Sequence, residues 1–280
     1  MLLQDFVPRY ADTSLDRLSD AYVTQLYTAV RVFEITLGRE VRVEELSDQL
    51  VNQFTDALYS TRAADTVRTR RASILALWRE AFRQELTDKP PMRIRRLKRH
   101  RRIVRAWTYE EVRRLMWAAN SPTILLNGIP SGLFYRSIIS VGWDTALRLG
   151  DLLTLRYDQI GGRNQIIVDQ HKTGDQIICH LSNTSRRLIE ESYRSQPHRQ
   201  LLWPLWAGRD AFYRRMRILV KKAGVSPGTF RYIRRGSITA VEKAGGDGSL
   251  HAGHSSRWVT EHHYLDKSQL RGSVVRPPEL

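Results

Sequence analysis

Five side chains in the second half of the chain could together carry out chemistry on a phosphate group. In chain order they are Arg148, Lys172, Arg234, His254 and Tyr264. Transfer of a phosphodiester gathers negative charge on the non-bridging oxygens of phosphorus, so fixed cationic donors are the main requirement of a catalyst. Arginine meets it with paired N–H donors that stay charged at physiological pH. A tyrosine hydroxyl can serve as the nucleophile.

Both arginines stand among apolar residues. Arg148 follows the largely apolar run 140–147, and Arg234 lies between apolar positions of the run 229–239. A surface arginine is ordinarily just solvated, but an unpaired charge among apolar neighbours is costly. We therefore expect these two guanidinium groups to bind an anion.

Three further histidines, His171, His262 and His263, could suggest a metal site. No cysteine or carboxylate at ligand spacing completes such a site. The chain also lacks the Gly-x-x-x-x-Gly-Lys-Ser/Thr loop that would bind a nucleotide. We expect neither a metal nor any other cofactor.

The motifs around these residues resemble those of the tyrosine recombinase (phage integrase) family. Thr145-Ala-Leu-Arg148-Leu-Gly-Asp151-Leu is similar to the family's Thr-Gly-Leu-Arg-x-x-Glu-Leu, with Ala for Gly and Asp for Glu. Lys172 stands in Lys-Thr-Gly between two predicted strands, where the family has a hairpin lysine. The resemblance implies that Asp151 orients Arg148 and that Lys172 protonates the leaving 5′ oxygen.

The remaining family motifs match this sequence less closely. The family's His-x-x-Arg is replaced by Arg231-Tyr-Ile-Arg234, and Arg231 can donate to phosphate but cannot act as a base near neutral pH. His254 corresponds to the histidine of the Leu-Gly-His box. The family's commoner spacing from that histidine would reach His263, one residue before Tyr264. Because a phenol forms a phosphodiester that conserves the bond energy, we assign the nucleophile to Tyr264; the alternative is a buried structural tyrosine.

The resemblance implies a site-specific recombinase of a mobile element that cuts and rejoins duplex DNA through a 3′-phosphotyrosine. It further implies a specific recombination site, a homotetramer on DNA and a C-shaped clamp. Two alternatives remain open: a type IB topoisomerase, which uses a similar residue set, and a DNA-binding relative without catalysis. The sequence shows neither a signal peptide nor a bilayer-spanning run, which predicts a cytoplasmic protein with no membrane partner. Cys179 is the only cysteine and is expected in a buried strand.

The net charge of +16 is concentrated rather than spread evenly. Residues 89–106 hold nine positive charges and no acidic residue, and two prolines there oppose a helix. Such a segment is typical of contact with a polyanion, although a disordered tether or a localisation signal would look similar. The expected phosphate contacts in this linker are Arg93, Arg95, Arg96, Lys98, Arg99, Arg101 and Arg102.

The elements that would position these residues predict a mainly α fold with a small antiparallel β-sheet (α+β). We expect a helical core-binding domain over 1–88, the linker over 89–106, and a catalytic domain with a C-terminal tail over 107–280. Helical spacing from Leu18 to Phe33 ends at Gly38, and a capping box starts a helix at Thr108. Short β-branched runs on both sides of residues 171–175 predict a hairpin.

Two further expectations concern the last third of the chain. A helix capped by Asp210 and stopped by Gly224 should present three DNA contacts, which are Arg214, Arg215 and Lys221. In the related recombinases the tail packs on a neighbouring protomer; here its apolar residues Leu270, Val274 and Val275 could do so, or the tail could simply fray.

Overall fold

The computed structural model describes residues 1–14, 17–98, 103–120, 124–170 and 174–270. The chain forms two compact units, Met1–Arg101 and Arg102–Leu280. The fold is mainly helical with two small antiparallel sheets, so the predicted α+β class is confirmed. No helix in the described ranges is long and apolar enough to cross a membrane.

The first unit consists of helices packed around one apolar core. They are α1 (Leu3–Thr13), α2 (Asp20–Leu37), α3 (Asp48–Tyr59) and α4 (Ala64–Arg83). The predicted stop at Gly38 is confirmed, because Gly38 adopts the left-handed conformation after α2 with φ of 72°. The core holds the fully buried rings of Phe33 and Phe54 in an edge-to-face contact with centroids 4.8 Å apart. Helix α1 was not predicted; it contains Pro8, a residue that ordinarily ends or kinks a helix.

Residues 89–98 of the basic linker form neither helix nor strand, and side chains of the first unit hold them in place. The backbone N–H of Met92 donates to Asp48 Oδ1 at 3.0 Å, and that of Arg95 donates to Asn52 Oδ1 at 3.0 Å. The side chain of Arg95 forms an ion pair with Asp56. Residues 89–97 therefore belong to the first unit, fixed along α3 and α4, with Ile94 packed against its core.

The second unit carries the remaining elements around a second, larger core. Its helices are α5 (Tyr109–Ala118), α6 (Ser131–Thr145), α7 (Leu149–Leu152), α8 (Asn183–Ser195), α9 (Gly208–Ala223), α10 (Arg231–Lys243), α11 (Gly248–His251), α12 (Arg257–His263) and α13 (Lys267–Leu270). Its strands are β1 (Leu125–Leu126), β2 (Ile129–Pro130), β3 (Gln165–Asp169) and β4 (Gln176–His180).

Local signals in the second unit agree with most of the expected boundaries. Thr108 and Glu111 form the capping box of α5, with reciprocal bonds of 3.2 and 2.9 Å. Strands β3 and β4 form the predicted hairpin, with Ile167 opposite Ile178. The expected cap at Asp210 is wrong, because α9 begins at Gly208 and Asp210 lies in its first turn. There its carboxylate still faces the positive end of the helix dipole.

Candidate active site

The expected nucleophile, Tyr264, lies in a small apolar cluster that is separate from the main core. The cluster contains Ala146, Ile238, Ala252, Tyr264 and Leu265. These residues come from the end of α6, from α10, from the turn after α11 and from the segment after α12. The cluster therefore brings together four of the regions of sequence that carry predicted site residues, those of Arg148, Arg234, His254 and Tyr264.

Arg234 is the central charge of the site. It lies in the first turn of α10 and only 2% of it is exposed. Its guanidinium donates to the carbonyl oxygen of Ala146 and, at 3.2 Å, to that of Ala252. Burial lowers the pKa of Arg234 to about 10, so the group remains cationic at neutral pH. Arg234 thus ties two loops of the site together and places a fixed positive charge between them.

Ala146 makes the turn that aims Arg148. It adopts a left-handed conformation with φ of 49°, which costs a non-glycine residue about 1–2 kcal/mol. This is the position where the related motif has glycine. The turn leaves Arg148 at the N-terminal end of α7, where Nη1 donates to Gln170 Oε1 at 3.0 Å and lies 3.8 Å from the Asp151 carboxylate. The contact with Asp151 supports its expected orienting role.

His254 has a defined hydrogen-bonding role. Its Nε2 lies 2.7 Å from Arg234 Nη2, and its Nδ1 lies 2.6 Å from Thr260 Oγ1. Since an arginine N–H can only donate, Nε2 must accept, and the ring proton is on Nδ1 facing Thr260. The imidazole is thus held between a buried arginine and the helix that precedes Tyr264.

Tyr264 is packed against these cations. Its ring lies 4.9 Å from Arg234 Cζ and 4.6 Å from the centroid of the His254 ring, and 8% of the residue is exposed. Burial raises the pKa of the phenol, but the charges of Arg234, Arg148 and Arg231 outweigh it and hold the pKa below its ordinary value. The site therefore makes it easier for the phenol to ionise to tyrosinate, which is the nucleophilic form.

The neighbouring histidine is placed differently. His263 packs edge-on against Trp258 with centroids 5.5 Å apart, and its carbonyl oxygen accepts a hydrogen bond from Arg235. Of the two residues between which the spacing left a choice, it is Tyr264 that lies beside Arg234 and His254.

Arg231 and Lys172 complete the expected set. Arg231 is exposed at the start of α10, one turn before Arg234 and on the same side of the helix. Lys172 lies outside the described residues. The two ends of its turn are hydrogen-bonded, since Gly174 N donates to Gln170 O and Gln170 N donates to Asp175 O, both at 2.8 Å.

Gln170 is a site residue that the sequence analysis missed. It is fully buried, its amide oxygen accepts from Arg148, and its amide nitrogen donates to Ala252 O at 3.3 Å. Gly253 comes so close that a Cβ there would lie 2.7 Å from Gln170 Nε2, and its φ of 60° also favours glycine. One signal was available: Gln170 continues the buried face of β3, after Ile166 and Val168, where a polar residue needs a partner.

Replacing Gln170 with leucine should slow any reaction that depends on Arg148. The change removes the acceptor that fixes the guanidinium and leaves Ala252 O with one donor fewer. A buried group left unpaired costs about 1–3 kcal/mol, and we expect a loss of about tenfold or more in the reaction rate. Single-turnover kinetics would measure the rate, and thermal unfolding would check folding. Gln176→Leu, on the exposed side of the same hairpin, is the control and should keep the wild-type rate.

Those expected DNA contacts that the structure describes are on the surface, with one exception. Arg93, Arg95, Arg96 and Lys98 are exposed, while Arg99, Arg101 and Arg102 lie outside the described residues. On α9, Arg214 and Lys221 are exposed, whereas Arg215 is half-buried. Arg214 and Arg217 line an open groove of about 620 Å³ together with Thr229, which stands two residues before Arg231. Arg217 was not among the predicted contacts.

Within the described part of the chain, no group of three or more His, Cys, Asp or Glu side chains could hold a metal ion. Cys179 is buried in β4, where it was expected, and burial raises the pKa of its thiol to about 11.

Comparisons with known proteins agree with this geometry. The profile of the Phage integrase family matches residues 105–270. A lambda integrase dimer bound to a COC' core site is similar in structure, with a TM-score of 0.75 and 18% identity over the whole of both chains.

Two further structures show the same fold. A lambda integrase tetramer bound to a Holliday junction has a TM-score of 0.76 and 17% identity, covering all of this chain and 80% of that one. The XerH site-specific recombinase bound to a palindromic difH substrate has a TM-score of 0.70 and 13% identity, over 96% and 93% of the two chains. A search of curated protein sequences found no match. With the family profile covering more than half of its residues, the chain belongs to the phage integrase family, the tyrosine recombinases, which cleave and rejoin DNA.

Proposed function

We propose that this protein is a site-specific DNA recombinase in which Tyr264 is the nucleophile. The observation that carries the proposal is the packing of its ring 4.9 Å from the buried guanidinium of Arg234 and against His254. A phenol needs help to ionise, and a phosphodiester needs cations around its oxygens in the transition state. One arrangement of side chains meets both needs.

In the proposed reaction the Tyr264 oxygen forms a bond to phosphorus as the bond from phosphorus to the 5′ oxygen breaks. The products are a 3′-phosphotyrosine and a free 5′-hydroxyl, whose proton comes from Lys172. Arg148, Arg231 and Arg234 stabilise the charge on the phosphorus oxygens, while His254 accepts a hydrogen bond from Arg234 and keeps that guanidinium in place. Attack by the 5′-hydroxyl of a partner strand then reverses the step and joins the new strands.

Arg231 changes how the phenol loses its proton. Since it stands where a histidine is usual and cannot accept a proton near neutral pH, we assign activation to the electric field of the three arginines. Their charges hold the Tyr264 pKa below its ordinary value against the effect of burial, and water takes the proton. Asp151 acts indirectly, by holding Arg148.

The substrate in this proposal is duplex DNA carrying a recombination site, bound by both units. We assign the backbone contacts to the exposed cations of residues 89–106 and of α9, including Arg217. Because one of the similar structures is a lambda integrase tetramer on a Holliday junction, we propose a tetramer on DNA here. The reaction would take place in the cytoplasm, on nucleoid or mobile-element DNA.

Covalent trapping tests the proposal on a mixture of DNA sequences, so that the target site need not be chosen in advance. The protein is incubated with a pool of nicked duplexes whose arms carry randomised sequence. After cleavage, the short fragment that carries the free 5′-hydroxyl diffuses away because of the nick, and the adduct persists. Adducts are isolated under denaturing conditions, the attached strands are sequenced, and the modified peptide is identified by mass spectrometry. We expect one modified residue, Tyr264, and a shared sequence among the strands.

Three results of the trapping experiment would overturn the proposed function. Binding to the pool without any adduct would identify a non-catalytic DNA-binding protein. Adducts without a shared sequence, together with relaxation of supercoiled plasmid, would identify a topoisomerase. An adduct on another residue would remove Tyr264 from its role.

The salt dependence of DNA binding tests the linker. Arg96→Gln combined with Lys98→Gln removes two exposed cations, and each lost phosphate contact should flatten the log–log slope of affinity against salt by about 0.9. The control is Arg187→Gln with Arg194→Gln on α8, which changes net charge equally and should leave the slope alone. Equal slopes for wild type and linker variant would contradict contact by these two residues.

A further inference from the structure

The chain passes directly over α10 just before the catalytic helices begin. Residues Arg105–Trp107, here called the crossing segment, are bonded to this helix through Trp107 N, which donates to Tyr232 O at 3.3 Å. The indole Nε1 of Trp107 donates to Ser226 O, in the loop before the helix, at 2.8 Å. A Cβ on Gly236 would lie 2.1 Å from Trp107 O. The absence of a side chain at 236 therefore allows the backbone to lie in contact with the helix that carries Arg234.

Two side chains join the crossing segment to the nucleophile segment, residues 263–266. Arg235 Nη1 donates to Arg105 O at 3.3 Å, and its Nε donates to His263 O at 3.2 Å. Asp266 Oδ2 accepts from Ala106 N at 3.0 Å, across a separation of 160 residues. The carboxylate is buried, with 2% of the residue exposed. The residues on both sides of Tyr264 and Leu265 are thus bonded, directly or through Arg235, to the crossing segment.

Further bonds make the Asp266 contact rigid. The side chain of Gln269 donates to Ala106 O at 3.0 Å and to Asp266 Oδ2 at 3.2 Å, and Ser268 N donates to Asp266 Oδ1 at 3.1 Å. Asp266 N in turn donates to Thr239 Oγ1 on α10 at 3.1 Å. A buried carboxylate with this many donors holds its geometry more firmly than an exposed ion pair.

We propose that Arg235 and Asp266 are positioning residues that couple the crossing segment to the nucleophile, so that the attack by Tyr264 depends on how residues 105–107 are held. The inference rests on the proposed function. Neither side chain is a catalytic residue: Arg235 uses Nε and Nη1 on backbone carbonyls and stacks over Tyr232, with Cζ 5.6 Å from the ring centroid. Residues 105 and 106 of the crossing segment are the last two residues of the basic linker. The position of DNA held by the linker would therefore affect the position of Tyr264 through these bonds.

The consequence for rate follows from the precision that attack requires. A misplacement of about 1 Å in a reacting group can cost about 10²-fold in rate. The Arg235 bridge and the Asp266 contact hold the two segments as one unit, so the loss of either one loosens the nucleophile segment from the crossing segment. We therefore expect a partial loss from either single change, and little further loss when both links are removed.

The test compares full-length Arg235→Gln with Lys243→Gln, an exposed residue on the same helix whose change alters net charge equally. Affinity for DNA and the single-turnover rate of adduct formation at saturating DNA are measured separately. For Arg235→Gln we expect a rate about tenfold or more below wild type with Kd within about threefold. Lys243→Gln should match the wild type in both. Weaker binding with an unchanged saturating rate would make Arg235 a phosphate ligand and overturn the proposal.

Hydrogen–deuterium exchange provides a readout that does not depend on catalysis. In Arg235→Gln, exchange should be faster both at 105–107 and at 263–266 than in the wild type, while Lys243→Gln leaves both segments unchanged. Faster exchange in only one segment would show that the two are not coupled. If the wild-type protein forms no adduct, the proposed function fails, and the exchange result still decides whether the link exists.

The second variant, Asp266→Asn, completes a double-mutant cycle. If both side chains act through one link, Arg235→Gln with Asp266→Asn should be about as slow as the slower single variant, because coupled residues are non-additive. Rates that multiply would mean independent effects and would overturn the proposal. Should Arg235→Gln unfold, Arg235→Lys takes its place in every arm of the test, since it keeps a donor for one carbonyl only.

Discussion

Replacing Tyr264 with phenylalanine is expected to abolish covalent attachment of the protein to DNA and to leave DNA binding unchanged. Only the phenol oxygen is lost. The ring that packs with Ala146, Ile238 and Leu265 remains, so the loops that carry Arg234 and His254 keep their support. Denaturing gels with the nicked substrates found in the trapping experiment would measure the adduct, and electrophoretic mobility shifts would measure binding.

Two matched variants make the result specific. Tyr232→Phe removes a phenol oxygen from the same helix as Arg234, and His263→Ala removes the side chain that the commoner spacing would make the nucleophile. Both proteins should still form the adduct, because their side chains face Trp107, Arg235 and Trp258 rather than the cationic centre. If Tyr264→Phe still forms an adduct, or if only His263→Ala loses it, the assignment of the nucleophile is wrong.

The parts of the fold that the sequence predicts well are those set by neighbouring residues. Helix α2 follows from apolar spacing and the glycine after it, α5 from its capping box, and the β3–β4 hairpin from two β-branched runs. In each case the determining contacts lie within a few residues of one another. The start of α9 shows the limit, since Asp210 is a good cap in isolation but the helix begins two residues earlier.

The residues of the proposed catalytic set could be selected from the sequence for a different reason. Arg148, Arg234, His254 and Tyr264 stand in recognisable motifs, and the structure brings them together around one small apolar cluster. The residues that hold this set could not be read in the same way. Whether Arg235 binds phosphate or backbone depends on where residues 105 and 263 lie, and that is decided by long-range packing of the chain across α10 at Gly236.

The linker likewise has features that the sequence predicts and features that depend on long-range contacts. Its charge and prolines predict an extended basic segment, and residues 89–98 have neither helix nor strand. That its first half is fixed to the first unit follows from Asp48, Asn52 and Asp56 on one face of α3. The four-residue spacing of these polar residues shows that they share one face of the helix. It does not show which segment of the chain packs on that face.

Arg234→Ala should produce the largest loss among the cationic residues. Removal of one preorganised donor from a developing anion costs about 10²–10³-fold in rate, and here the same residue also lowers the pKa of the nucleophile. We expect adduct formation at neutral pH to fall by at least about 10²-fold. Because Ala146 O loses its buried donor, whereas Ala252 O keeps the one from Gln170, stability should fall as well, by about 1–3 kcal/mol for the carbonyl left unpaired. Thermal unfolding would separate this effect from the chemistry.

The dependence on pH distinguishes the two roles of Arg234. Adduct formation in the wild type should rise with pH as Tyr264 ionises, and this rise should occur below the ordinary pKa of a phenol, because the arginine charges hold the Tyr264 pKa down. Without the Arg234 charge the tyrosinate is less stabilised, its pKa increases, and the rise should move to higher pH. Arg234→Lys keeps a charge but lacks the fork that reaches both carbonyls and the phosphate. This variant should therefore remain slow while its pH profile stays closer to that of the wild type. Identical profiles for wild type and Arg234→Ala would show that Arg234 acts on the phosphate alone.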